Sequence, residues 1–389
     1  MFLTMTTNRN QELIDFAVEL HQKGQILPDT YVIDVDTLCE NARMLACSAK
    51  EYGIELYYMT KQIGRNPYLA KKIHEAGIKK AVVVDFKEAL LLMDAGLPLG
   101  NVGHLVQIPN QLLKKILAYG TDYVTIYSIE MLKKVDAVAG ELGIIQPVLL
   151  RILDEGDRIY EGQYGGFMLD DLPALMQEFK KLLSIRITGL TSFPCFLYQA
   201  EQGEFMSTPN AQTLYRAQIL LNKAGFAITQ LNMPSATCVR SLKFLAEIGG
   251  TQGEPGHALT GTTPMHAKEV LAEKPALVYV SEISHRFKGK SYCYGGGYYR
   301  RGNLSNALIA TKGMPYTETK VSPFDNESID YYLELAGMQP QDATVIMAFR
   351  TQIFVTRSEV ALVEGLSTNT PKLVGIYDSL GKKNKGDLK

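Results

Sequence analysis

The stretch Leu56-Tyr57-Tyr58-Met59-Thr60-Lys61-Gln62, followed by Asn66-Pro67, Ala76-Gly77 and Val82-Val83-Val84-Asp85, decides how the chain is read. A short apolar run ends on a lysine. Asparagine and proline then open a helix, because asparagine caps free N–H groups and proline suits the first helical position. A glycine closes that helix, and a second apolar run begins. The unit recurs along the chain. Strands are expected at Tyr31–Val35, Glu55–Thr60, Ala81–Val84, Val102–Val106, Tyr123–Tyr127, Pro147–Ile152, Ile185–Ser192 and Thr229–Met233. Pro109 and Gly120 bracket one intervening helix, and Thr208-Pro209 and Gly225 bracket another. Eight strand–helix units over roughly 250 residues predict parallel strands closed into an α/β, (β/α)8 TIM-type barrel. An open doubly wound sheet shares the local pattern, but Gly-x-Gly-x-x-Gly is missing after the first strand.

Outward from the barrel, Leu13, Phe16, Ala17 and Leu20 mark one face of an amphipathic helix at about residues 8–24. Beyond Pro275 the helical period stops. Strands are expected at Leu277–Ser284, Ser291–Tyr294, Leu308–Ala310, Val345–Met347, Gln352–Arg357, Val360–Val363 and Lys372–Tyr377. The expected organisation is an N-terminal helix over 1–27 packed on the second domain, a barrel over 28–272 and a C-terminal β-rich domain over 273–389. The tail Lys382-Lys383-Asn384-Lys385-Gly386-Asp387-Leu388-Lys389 is expected to fray.

Forty Lys and Arg against 41 Asp and Glu leave a formal charge of −1, which gives no field to attract nucleic acid or an acidic membrane. Neither a signal peptide nor a transmembrane run is evident. The cysteines, Cys39, Cys47, Cys195, Cys238 and Cys293, are odd in number and form no Cys-x-x-Cys pair. They read as reduced thiols of a cytoplasmic protein, not as a disulfide framework or a zinc site.

The chemistry centres on Lys61. A lysine at the C-terminal end of a barrel strand projects into the mouth, where barrel active sites form. Partly desolvated, its amine can lose a proton and form a Schiff base with an aldehyde. An ordinary surface lysine is the plainer explanation from position alone. The order of Lys61, Asn66-Pro67, Ala76-Gly77, Val82-Val83-Val84-Asp85, Glu88-Ala89 and Ala95-Gly96 resembles the N-terminal barrel of alanine racemase and its relatives. These are the fold-type III pyridoxal 5′-phosphate (PLP) enzymes. The resemblance covers about residues 30–310, and the whole chain resembles the YhfX group.

That resemblance implies that Lys61 holds PLP. Gly253-Glu254-Pro255-Gly256-His257 resembles the Glu-Pro-Gly-Arg segment of the ornithine and diaminopimelate decarboxylase branch, which implies Glu254 at the pyridine nitrogen and Gly256 and His257 near the phosphate. A carboxylate there favours a protonated ring and so a stronger electron sink. Pro234-Ser235-Ala236-Thr237 resembles the family's phosphate segment, and a helix start suits an anion. Cys293-Tyr294-Gly295-Gly296-Gly297-Tyr298-Tyr299-Arg300 resembles the element that carries the second catalytic base, Tyr294, from the partner subunit. Arg158 resembles the arginine that contacts this tyrosine and the substrate carboxylate, and Tyr377 is a further candidate for the phosphate. Without the resemblance, the glycine triplet reads as a bulge or turn and Pro234–Thr237 as a helix cap.

Departures from the pattern bear on the reaction. Alanine racemase has arginine where this chain has Glu254, and Ser192-Phe193 stands where relatives have Ser-His. His257 replaces the decarboxylases' arginine. No metal-ligand spacing appears at His257 or His266, so no metal is expected. The expectation is a homodimeric PLP enzyme with shared active sites, acting on an amino acid or amine, and a racemase or epimerase before a decarboxylase or other α-carbon lyase. A non-catalytic PLP-binding protein is a further alternative, against which the second domain speaks.

Overall fold

The computed structural model describes residues 1–323 and 328–384. Backbone contacts divide it into two units. One holds Met1–Met44, Thr60–Lys72 and the chain from Gly256 onwards; the other holds Leu45–Met59 and Ile73–Pro255.

The second unit contains the barrel. Its strands are β1 (Glu55–Tyr58), β2 (Lys80–Val82), β3 (Leu99–Val102), β4 (Thr121–Ile126), β5 (Gln146–Leu153), β6 (Ile185–Thr191), β7 (Gln230–Asn232) and β8 (Gln252–Gly253). Each pairs in parallel with the next, and β8 pairs with β1. The sheet therefore closes on itself, and the open alternative falls away. Asn66 opens the helix Pro67–Ala76 as expected, its Oδ1 accepting the Leu69 N–H at 3.1 Å. Thr208 precedes the helix Pro209–Lys223 without capping it, because its hydroxyl donates to the Pro194 carbonyl instead.

Two of the expected barrel strands are corrected. The run Tyr31–Val35 is not a barrel strand. Thr30–Asp34 lies in the sheet of the other unit, parallel to Glu359–Glu364 and antiparallel to Leu277–Phe287. All five of its residues are buried, so its apolar pattern reads like that of a barrel strand. The vacant place is taken by β8, two residues at Gln252-Gly253, too short to show any period. The expected strand at Val102–Val106 is displaced to β3. Gly103, at φ +90°, turns the chain there, where a Cβ would sit 2.7 Å from the Thr125 carbonyl oxygen.

The first unit is built on a sheet of nine strands among the described residues, most of them antiparallel. Its central order is Thr317–Lys320, Asn306–Ala310, Thr344–Met347, Leu277–Phe287, Thr30–Asp34, Glu359–Glu364 and Lys372–Tyr377, with Lys290–Tyr294 and Tyr332–Leu335 extending from Leu277–Phe287. The expected strand at Gln352–Arg357 is a 3-10 turn, Ile353–Val355. The N-terminal helix is two helices, Phe2–Arg9 and Gln11–Gln22. Asn10 breaks them. It leaves helical geometry at φ −154°, caps the second helix by accepting the Leu13 N–H, and donates to Asp34 Oδ2 and the Pro275 carbonyl, both at 2.9 Å. Leu13, Ile14, Ala17 and Leu20 pack with Val278, Val280 and Ile346 in one apolar core. The expected fraying from Lys382 is not found as far as Asn384, whose N–H donates to the Ile376 carbonyl at 2.9 Å and whose amide donates to Glu359. Residues 385–389 of that tail lie outside the described residues.

Candidate active site

In parallel barrels the strands carry functional side chains at their C-terminal ends. Glu254 follows β8 directly and is 5% exposed. Its Oε1 accepts the Asn232 amide from the end of β7 at 2.9 Å and the Asn101 amide from β3 at 3.4 Å. His104 Nε2 lies 3.5 Å from Oε2. The Glu254 N–H donates to the Thr237 hydroxyl at 3.0 Å, which ties the carboxylate segment to the expected phosphate segment. Two amide donors thus converge on one oxygen of this buried carboxyl group.

Pro234–Thr237 leads into the helix Val239–Glu247. Ala236 has φ +43°, so its turn opens the backbone, and Ser235 Oγ accepts the Cys195 N–H at 2.8 Å. Ser235 and Thr237 therefore use oxygen lone pairs within the fold and keep their hydroxyl hydrogens for another acceptor.

Lys61 begins a 3-10 turn, Lys61–Ile63, and is half-buried. It comes two residues after Met59, whose N–H donates to the Pro255 carbonyl at 3.0 Å. Gly256 and His257 come directly after that proline. His257 Nε2 lies 2.9 Å from the Thr351 carbonyl oxygen and 3.2 Å from Arg350 Nε. Burial first, then the charges of Arg350 and Lys61, hold the imidazole pKa well below its ordinary value. His257 is thus neutral. Tyr377 is buried on Lys372–Tyr377, and burial raises its pKa.

Tyr294 ends the strand Lys290–Tyr294 and lines a cavity of about 370 Å³ together with Pro28, Asp29, Gly295, Tyr331, Tyr332 and Arg357. The following glycines hold the turn. Gly296 has φ +132°, and a Cβ there would fall 1.9 Å from Asp29 Oδ2. Asp330 Oδ2 accepts the N–H groups of Gly296 and Tyr298 at 3.0 and 3.2 Å, and Arg357 pairs with Asp330 at 2.9 Å. Arg158 is exposed, anchored by its backbone to the Asn210 amide.

Sequence reasoning missed Asn101, Asn232, His104, Tyr127 and Arg151. Arg151, buried on β5, donates to the Tyr127 hydroxyl and the Gln163 carbonyl, both at 2.7 Å, and Tyr127 donates to the His104 carbonyl. The His104 ring lies 6.3 Å from that of Phe193, the residue that stands where the resemblance implies histidine. One signal was available: Asn101, Arg151 and Asn232 are polar residues inside apolar strands, and such residues need partners. Among the described residues no group of three or more His, Cys, Asp or Glu could hold a metal, and no helix is long and apolar enough to cross a membrane.

A closed parallel barrel with a buried acid behind its last strand, joined to a β-rich unit, is an alanine racemase-type architecture. The chain belongs to the family of the alanine racemase N-terminal domain, whose model matches residues 33–264; a YhfX-like C-terminal domain matches residues 278–373. It is 47% identical over 382 residues to "Uncharacterized protein YhfX" of Escherichia coli (strain K12), covering 98% of this chain and 99% of that protein. Among solved structures it is similar to an alanine racemase of Clostridium difficile 630, with 17% identity, TM-score 0.62 and coverage of 91% of this chain and 99% of that one. It is similar too to D-threonine aldolase from Filomicrobium marinum, with 15% identity, TM-score 0.64 and coverage of 91% and 95%. At these identities the likeness establishes the fold.

Proposed function

We propose that the chain is a PLP-dependent cytoplasmic enzyme acting at the α-carbon of an amino acid, as a racemase or epimerase. One observation carries the reading: the buried carboxylate of Glu254, held by amides from β3 and β7, follows the strand paired with the one that leads into Lys61. The residues present fit the cofactor. A buried, donor-held carboxylate suits a protonated ring nitrogen, the hydroxyls of Ser235 and Thr237 with the open turn at Ala236 suit a phosphate, and a lysine amine suits the aldehyde. Gly256, His257 and Tyr377 complete the proposed cofactor set, with His257 contributing as a neutral group.

When bound, PLP supplies an electron sink for the charge left on an α-carbon that loses its proton. Lys61 moves a proton on one face of the substrate. Tyr294 of the partner subunit moves one on the other face, and Arg158 binds the substrate carboxylate. Two bases on opposite faces allow a proton to leave one side and return on the other, as racemisation requires. A decarboxylase or another α-carbon lyase is the second reading, favoured by Glu254.

Two measurements test the proposal. The purified protein should be yellow or become so with PLP, and borohydride followed by peptide mass spectrometry should place the label on Lys61. A colourless protein that ignores PLP, or a colour that survives in Lys61→Ala, overturns the cofactor reading. In D₂O a racemase labels Cα of both enantiomers of its amino acid, whereas CO₂ release without racemisation selects the lyase.

A further inference from the structure

Glu254 sits at the centre of a relay of neutral donors. Asn232 and Asn101 reach its Oε1, at 2.9 and 3.4 Å, and each amide is itself held from behind. The Thr191 hydroxyl donates to Asn232 Oδ1 and the Thr125 hydroxyl donates to Asn101 Oδ1, both at 2.8 Å. The four partners come from β3, β4, β6 and β7, and Asn232 is level with Thr191 in the sheet register. An amide has a donor end and an acceptor end. A hydroxyl hydrogen delivered to Oδ1 leaves Nδ2 to face the carboxylate. All five side chains are buried, so turning either amide would set its oxygen against a carboxylate and leave a hydroxyl without its acceptor. Branched apolar side chains fill barrel interiors without such a need. Two asparagines, each backed by a threonine, are therefore more than packing.

We propose that Asn101 and Asn232 are positioning residues that hold Glu254 ionised and fixed in orientation, with Thr125 and Thr191 locking the two amides. N–H donors favour the charged form of a carboxylate and lower its affinity for a proton. Resting on the reading of Glu254 as the ring-nitrogen partner, the consequence is that the shared proton stays on the ring and not on the glutamate. His104, 3.5 Å from Oε2, and Tyr127, whose hydroxyl accepts from Arg151, also lie close to Glu254. The Tyr127 pKa is raised by burial first and by the charge of Glu254 in addition. These groups are unchanged in the variants below.

The test is the titration of the Glu254 carboxyl by ¹³C NMR on the full chain, with and without PLP, the signal being assigned by its loss in Glu254→Gln. In Asn101→Ala and Asn232→Ala the midpoint should rise by about one pH unit each, the scale of one hydrogen bond to a charged group. Asn232→Ser, which keeps a donor, should restore part of the shift. Thr125→Val and Thr191→Val remove only the hydroxyl's hydrogen bond at nearly the same size, and should raise the midpoint by a smaller amount. With PLP bound, the alanine variants should stay yellow and exchange the substrate Cα proton about tenfold more slowly. An unchanged midpoint in the alanine variants, or in both valine variants should the alanine variants not fold, overturns the relay. A wild-type chain that never colours with PLP overturns the cofactor reading instead, and the cofactor-free titration still decides the relay.

Discussion

Asp29→Asn should make the protein more stable at neutral pH, with a benefit that disappears in acid. Asp29 lies beneath the glycine turn that carries Tyr294, and its Oδ1 accepts the hydroxyls of Tyr279, at 2.8 Å, and Ser358. Burial pushes its pKa from 3.8 up to about 6, against the pull of those hydroxyls and of Arg357 and with a small push from Asp330. The folded midpoint is therefore above the unfolded one. The stabilisation belonging to the protonated form is complete below pH 3.8 and is lost as pH rises through about 6. The shift is roughly two pH units, and at ~1.4 kcal/mol per unit it costs the wild type ~3 kcal/mol above pH 7 and roughly half of that at pH 5. Asparagine keeps the shape and can accept the same two hydroxyls, but carries no charge to bury. Urea unfolding followed by circular dichroism at pH 5 and pH 7.5 reads the effect. Asp29→Asn should gain about 1–1.5 kcal/mol on wild type between the two values. Any constant loss of hydrogen bonding cancels in that comparison. A difference that does not move with pH, or that moves in favour of wild type as pH rises, refutes the reasoning.

Asn10→Ala removes a helix cap and strips a donor from Asp34 and the Pro275 carbonyl, at 2.9 Å each, in a buried site. It should cost about 2–3 kcal/mol in denaturant unfolding, while a loss below ~0.5 kcal/mol would mean that water replaces the side chain. Tyr294→Phe should leave the colour and PLP affinity intact and slow Cα exchange about 100-fold from one enantiomer only. Equal slowing from both enantiomers would remove Tyr294 from the role of second base. Co-expressing Lys61→Ala and Tyr294→Phe chains should recover activity in mixed dimers, and no recovery would argue against a site shared between subunits.

Much of the fold was legible because it is written in local periods. Asn66-Pro67 opens its helix, Leu13, Ala17 and Leu20 form a buried face, and the strand before Lys61 is where its apolar run predicts it. Such signals depend on one element and its own neighbours in sequence. Strand partners do not. The run at Thr30–Asp34 and the barrel strands look alike along the chain, yet the former pairs with Leu277–Phe287 and Glu359–Glu364. Its place in the expected barrel is filled by Gln252-Gly253, whose sequence carries no strand signal at all.

The site divides in the same way. The sequence by itself determined the order of Lys61, Arg158, Ser235, Glu254 and Tyr294, the proposed site residues, and with it the resemblance to the family, because order along the chain is the same whatever the packing does. Only the tertiary structure decided what surrounds Glu254. Asn101, Thr125, Thr191 and Asn232 are spread over 132 positions of chain and meet because a closed barrel brings four strands to one level. No spacing rule records that meeting, since it follows from closure and register, which are properties of the whole sheet.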